Sequence, residues 1–184
     1  MKRHRRNIHE SGHAHELTFS CYHGFPFLKS DRCCQWLCEA INESRETYRY
    51  SLWAYVFMPD HVHMIIYPHD EKPDLGNIKR SIKGPVGTKA IQYLQEHSPE
   101  WLDKITRQRG DRTERLFWQS GGGYDRNVTS PAMLLKMIDY IHANPVRKGL
   151  VETPSDWKWS SSGWFDDETD GPLHLDPVPK DWLE

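Results

Sequence analysis

The stretch RYSLWAYVFMPDHVHMIIYP, residues 49–68, decides the fold. β-Branched and aromatic residues dominate both halves, and Pro59-Asp60 between them is a tight-turn signal. The stretch reads as two strands, 49–59 and 61–68, folded back on each other. Apolar side chains fall on both faces of each, so both strands are expected in the centre of a sheet. Upstream, HELTFSCY (15–22) reads as a first strand, broken by Gly24 and Pro26. Ser30 or Asp31 can cap a helix reaching about Thr47, with Trp36, Leu37, Ala40 and Ile41 on one face.

Downstream, DLGNIKRSIKGPVGTKAIQYLQEH (74–97) reads as a second helix that Gly84-Pro85 should bend or split. Residues 98–114 are polar and charged and read as a loop. LFWQSGGGYDRNV (116–128) starts like a strand and then meets three glycines. Ser130 as N-cap and Pro131 at the first position open a last helix. Leu134, Leu135, Ile138 and Ile141 form its buried stripe, and Asn144-Pro145 ends it. The order β-α-β-β-α-β-α predicts an α+β fold: a ferredoxin-like split βαβ with an antiparallel sheet, plus a C-terminal helix.

The chain has 184 residues, enough for one domain with a core. Its hydrophobic fraction is low at 37%, but eight Trp, eight Tyr and six Phe supply large buried surfaces. No apolar run approaches the roughly 20 residues that span a bilayer. The basic start MKRHRRNIHE has no apolar segment behind it, so it is not a secretory signal. A soluble, cytoplasmic protein with no membrane partner is expected. Cysteines 21, 33, 34 and 38 lack zinc spacing and read as reduced core residues. Residues 152–184 carry nine acidic and two basic side chains, net −7, whereas the other 151 residues carry 22 basic and 17 acidic, net +5. A basic body with an acidic end is one pattern of nucleic-acid-binding proteins. The chain divides into a basic flexible arm (1–13), one domain (14–164) and an acidic C-terminal tail (165–184). That tail is read as solubilising, or as a screen over the basic face.

Two constellations carry chemistry. In His61-Val62-His63, strand geometry sends residues i and i+2 to the same face, where two neutral imidazoles can share a divalent ion. An isolated pair of this kind is more often two half-exposed strand histidines. Tyr140 and Asn144 are neighbours on one helix face, a candidate nucleophile beside a hard carboxamide ligand. Tyr124, after the glycines, is the rival nucleophile and reads better as a structural or DNA-contacting residue.

MPDHVHMIIYP resembles the His-hydrophobe-His metal motif of the single-tyrosine HUH endonucleases, and YIHANPVRKGLV resembles the C-terminal catalytic helix of their transposase branch. FWQSGGGYDRNV and DWKWSS are similar to segments of the REP-associated tyrosine transposases, relatives of the IS200-like single-strand transposases. The matches keep family order from about residue 15 to 162. The resemblance implies that residues 14–164 form a metal-dependent nuclease domain. It would be a single-strand DNA endonuclease and strand-transferase that works beside DNA hairpins through a 5′-phosphotyrosine. The catalytic residue is then Tyr140, the metal ligands are His61, His63 and Asn144, and the cofactor is Mg2+ or Mn2+. Family members commonly have one or two glycines before the Tyr of the Gly-Tyr-x-Arg segment, and this chain has Gly121-Gly122-Gly123, which bears on target preference.

The expected partner is single-stranded or hairpin DNA, with the protein as monomer or homodimer. Arg126, Arg147 and Lys148 flank the proposed site. Lys79, Arg80 and Lys83 form a basic strip on the second helix. Arg3, Arg5 and Arg6 form an arm able to track a backbone or enter a groove. His142 and Asp139 are weak candidates for a base, because they face away from Tyr140. The alternatives are a domesticated, non-catalytic hairpin-binding protein and a hydrolytic metallo-phosphodiesterase.

Overall fold

The computed structural model describes residues 12–167, 169 and 171–183. Strand β1 (Ala14–Ser20) leads to helix α1 (Asp31–Tyr48), strands β2 (Tyr50–Phe57) and β3 (His61–Pro68), and helix α2 (Leu75–His97). A short helix α3 (Leu102–Ile105) precedes a two-stranded ribbon, β4 (Thr106–Arg109) and β5 (Arg112–Arg115). Strand β6 (Tyr124–Val128), helix α4 (Pro131–His142) and the single turn α5 (Asn144–Arg147) follow. The main sheet is antiparallel throughout, in the order β2-β3-β1-β6. With α1 and α2 as the two crossovers, this is the ferredoxin-like α+β plan expected from the element order.

Side-chain alternation divides the sheet into two working faces. Leu17, Phe19, Leu52, Met64 and Ile66 point to one face and bury against Leu37 and Ile41 of α1 and Ile78, Ile82 and Val86 of α2. On the other face Ala14, Ala54, Val56, Ile65 and Val128 pack beneath Leu134, Met137, Ile138 and Ile141 of α4. Ser130 caps α4 by accepting from the Met133 N–H, with Pro131 at its first position. Because α4 covers only part of that face, the adjoining positions of β1, β3 and β6 are free to form a site.

Several sequence expectations change. β3 is central, but β2 is an edge strand. Its faces are buried in the α1–α2 core on one side and the α4 core on the other, and the C-terminal segment runs along its outer edge. The Phe57 N–H donates to Trp159 O at 2.8 Å, Ser161 N–H to Tyr55 O at 3.0 Å, and Asp176 N–H to Leu52 O at 3.0 Å. Asp176 carboxylate also accepts from the Leu52 N–H at 2.8 Å. Leu173 and Leu175 are buried in the core. Residues expected as an acidic tail therefore occupy an open sheet edge, where unpaired N–H and C=O groups would otherwise invite a foreign strand.

Helix α2 runs through Gly84-Pro85 without a break. Pro85 removes one helical hydrogen bond, while the buried stripe Ile78, Ile82, Val86 and Ala90 continues across it. Residues 98–114 are not a plain loop: Gly110, at φ +59°, turns the β4–β5 ribbon, and Arg107 pairs with Glu114 across it at 2.6 Å. In 116–128 the strand comes after the glycines, and Phe117 and Trp118 are buried instead. All four cysteines are free. Among the described residues no helix is long and apolar enough to cross a membrane. Arg3, Arg5 and Arg6 lie outside the described residues.

Candidate active site

Strand register assembles the site. Thr18 on β1 stands opposite His63 on β3 and opposite Tyr124 on β6, while Glu16 stands opposite Ile65 and Arg126. Directly opposed residues share a face, so Glu16, Thr18, His61, His63, Tyr124 and Arg126 all project to the α4 side. All of these except His61 line a cavity of about 850 Å³, whose wall also includes Lys136 and Tyr140. Tyr140 is 46% exposed. Its ring centre lies 6.2 Å from that of His63.

The His61 and His63 rings sit 4.9 Å apart, nearly perpendicular. His63 Nδ1 donates to Glu16 Oε1 at 2.8 Å and lies 2.9 Å from Thr18 Oγ1, which itself donates to Glu16. His61 Nδ1 donates to Asp60 Oδ1 at 2.7 Å. A carboxylate accepting from Nδ1 places the imidazole proton there and turns the Nε2 lone pair outward. This is the arrangement in which outer carboxylates orient metal-binding histidines. Burial pushes the His61 imidazole below the ordinary histidine range; Asp60 opposes that shift, and the charge on Lys148 adds to it. An imidazole kept neutral is the form that ligates a cation. The donor set thus fits a divalent ion, and two histidines alone do not complete its shell. Among the described residues no group of three or more His, Cys, Asp or Glu is placed to hold a metal. Further ligands have to be a carboxamide, water or a phosphate oxygen.

Asn144 opens α5 one turn beyond Tyr140. Its Nδ2 donates to the carbonyls of Tyr140 at 3.0 Å and Ile141 at 3.2 Å, which fixes the side chain against the Tyr140 backbone. It is buried and does not line the cavity as it stands. The Arg147 guanidinium lies 5.2 Å from the centre of the Tyr140 ring, close enough for a cation–π contact. Arg126 lines the cavity directly.

Other expected residues go elsewhere. Lys79 is 5% exposed, with its ammonium 3.7 Å from the Asp125 carboxylate, so it is a buried cation and not part of a phosphate strip. It looks inward because positions 75, 78, 79, 82 and 86 of α2 share the core face. Lys83 donates to the carbonyls of Gln119 and Gly121 at 3.3 and 3.1 Å, while Arg80 stays exposed. His142 is buried, its Nε2 is 2.8 Å from Ser161 Oγ, and burial pushes its pKa down to about 4. It ties α4 to the segment covering β2 and has no access to Tyr140 as a base. Sequence reasoning missed Glu16, Thr18, Asp60 and Lys136. Glu16 and Thr18 have the same i, i+2 spacing as the histidines, and Lys136 is one helical turn before Tyr140, so both signals were present.

A Haemophilus influenzae protein named as a REP-associated tyrosine transposase is 28% identical over 162 residues, which cover 82% of this chain and 85% of that relative. The chain resembles the REP-associated tyrosine transposases. A solved REP-associated tyrosine transposase, bound to a REP hairpin, superimposes with a TM-score of 0.70 over 97% of this chain and 94% of its own. At 20% identity that transposase establishes the fold. No protein-family model matches the chain.

Proposed function

We propose that this chain is a metal-dependent single-strand DNA endonuclease and strand-transferase, acting beside DNA hairpins through a 5′-phosphotyrosine on Tyr140. The observation that carries the reading is the half-exposed Tyr140 standing over a histidine pair whose Nδ1 atoms are both held by carboxylates. The likeness to a REP-associated tyrosine transposase, in sequence and in fold, supports the same reading. Hairpin DNA is the proposed partner because the solved transposase is bound to one.

Tyr140 oxygen attacks phosphorus in line. The phenol gives up its proton, a bond forms between that oxygen and the 5′-phosphate, and the 3′-oxygen leaves with the electron pair of the broken P–O bond and takes up a proton to become the 3′-hydroxyl. The phosphotyrosine keeps the free energy of the phosphodiester, so a second 3′-hydroxyl can displace Tyr140 and rejoin the strand without ATP. Mg2+ or Mn2+ held by His61 and His63, with Asn144 as a third protein ligand, would supply Lewis-acid stabilisation of the charge on the phosphate oxygen. Arg147 at Tyr140, Lys148 near His61 and Arg126 on the cavity wall would supply positive charge to the phosphate in this reading. Glu16 and Asp60 keep the imidazole lone pairs aimed.

The test is covalent capture. The protein is mixed with labelled single strands carrying a hairpin, in Mn2+ or Mg2+, and denatured products are resolved. A denaturant-resistant adduct that disappears in both Tyr140→Phe and His61→Ala is expected. An adduct surviving Tyr140→Phe but lost in Tyr124→Phe would move the nucleophile to β6. Tight hairpin binding with no adduct under either metal would return the chain to a non-catalytic binding role.

A further inference from the structure

Three cavities lie in series and share walls. The active cavity meets a small one lined by Thr18, Lys83, Gln119, Ser120, Gly123 and Tyr124, with Thr18 and Tyr124 common to both. That small cavity meets a groove of about 530 Å³ between α2 and residues 115–122, with Lys83, Gln119 and Ser120 common to both. Arg80 and Arg115 flank the groove, and Lys83 crosses its floor. The β4–β5 ribbon, whose Arg115 lines the groove, sets Arg109 opposite Arg112, a like-charge pair that costs stability. Together with Arg107 these arginines act on the single carboxylate of Glu114.

The glycines between the cavities differ from one another. Gly123, at φ +72°, would put a Cβ 2.2 Å from Thr18 O, so the fold itself requires glycine. Gly121, at φ +102°, is required by its backbone conformation. Gly122 has neither constraint: its φ lies outside the left-handed range and an added Cβ would meet nothing within 4 Å. Folding does not account for the missing side chain at this position, which lies on the groove wall.

We infer that these cavities form one track for a DNA strand: the strand whose phosphate sits beside Tyr140 continues past Thr18 and Tyr124, over Gly122, and into the groove flanked by Arg80 and Arg115. The groove is a cleft between one helix and one loop. Polyanion is the occupant that the charges fit, since Arg80, Lys83 and Arg115 line the groove with no carboxylate among its wall residues. Lys83 ties helix α2 to the Gly121 carbonyl at 3.1 Å.

The inference rests on the proposed single-strand activity, and its test reads binding, so cleavage can fail without deciding it. Fluorescence anisotropy compares a short strand, spanning the hairpin and the scissile step, with strands extended at the 5′ or 3′ side. In the native protein one extension should tighten binding. Gly122→Leu blocks the track and Arg115→Glu removes a phosphate contact. Each should erase most of the long-over-short advantage, roughly tenfold for one charge-assisted contact. Arg115→Glu should also flatten the salt dependence for the long strand by about 0.7 in log K per log salt. Gly122→Ala, which a free strand path tolerates better, controls for folding, and circular dichroism checks all variants. The inference is overturned if neither extension tightens binding in the native protein, or if the advantage persists in both folded variants.

Discussion

Glu16→Gln isolates what the carboxylate behind His63 does. Glu16 is 3% exposed and accepts from His63 Nδ1 at 2.8 Å and from Thr18. Gln matches the shape but not the charge. Its amide can offer oxygen, which keeps the Nδ1 proton, or nitrogen, which forces the proton to Nε2 and removes the lone pair that would bind the proposed metal. Outer-shell partners of metal-binding histidines are worth about 10–100-fold in metal affinity or activity, or roughly 1.4–2.8 kcal/mol. The expected result is a Mn2+ midpoint for adduct formation raised by that factor. Thermal stability should move by less than about 1 kcal/mol, because Gln has nearly the same shape and keeps a hydrogen bond to His63. The assay is adduct yield against Mn2+ concentration, with the melting temperature measured in parallel. An unchanged midpoint in a folded variant would falsify the orienting role. A loss beyond about a thousandfold would exceed the outer-shell range and make Glu16 a direct ligand.

The His142 imidazole is held to about pKa 4 by burial, with Asp166 opposing the shift, against 6.5 when unfolded. The unfolded chain therefore binds the extra proton first, and this contribution is present above pH 6.5 and lost as pH falls towards 4. Up to about 3 kcal/mol is at stake, and His142→Gln should flatten urea-unfolding stability across that window; an equally steep profile would refute the assignment. Gly123→Ala should cost about 2–4 kcal/mol through its left-handed backbone and the clash with Thr18, whereas Gly122→Ala should stay within about 0.5 kcal/mol; equal denaturation midpoints would contradict the difference between the two sites. Leu173→Ala should cost about 2–5 kcal/mol as a core residue, although it lies in the acidic C-terminal segment; a cost near zero in chemical denaturation would show that the segment does not seal the β2 edge. If Tyr140 is the nucleophile, Arg147→Ala should lower adduct rate more than oligonucleotide affinity, because its guanidinium lies over the Tyr140 ring; an affinity loss equal to the rate loss would make it a general phosphate contact.

What the sequence determined by itself was local. Alternation in HVHMIIYP set both imidazoles on one side of a strand, and β3 runs from His61 to Pro68 as its residues indicate. Ser130-Pro131 marked the start of α4, and helical spacing put Asn144 one turn from Tyr140, because caps and periodicities act over a few residues. Tertiary structure decided what depends on register and packing between distant segments. Glu16 reaches His63 across 47 positions of sequence, and Thr18 links His63 to Tyr124, only because the α1 and α2 cores fix the slip of β1 against β3 and β6. The same packing turned Lys79 inward to Asp125 and made β2 an edge strand with two buried faces. Apolar runs report how much of a strand is covered; which segment covers it is settled by long-range contacts, and here the acidic C-terminal segment fills that place.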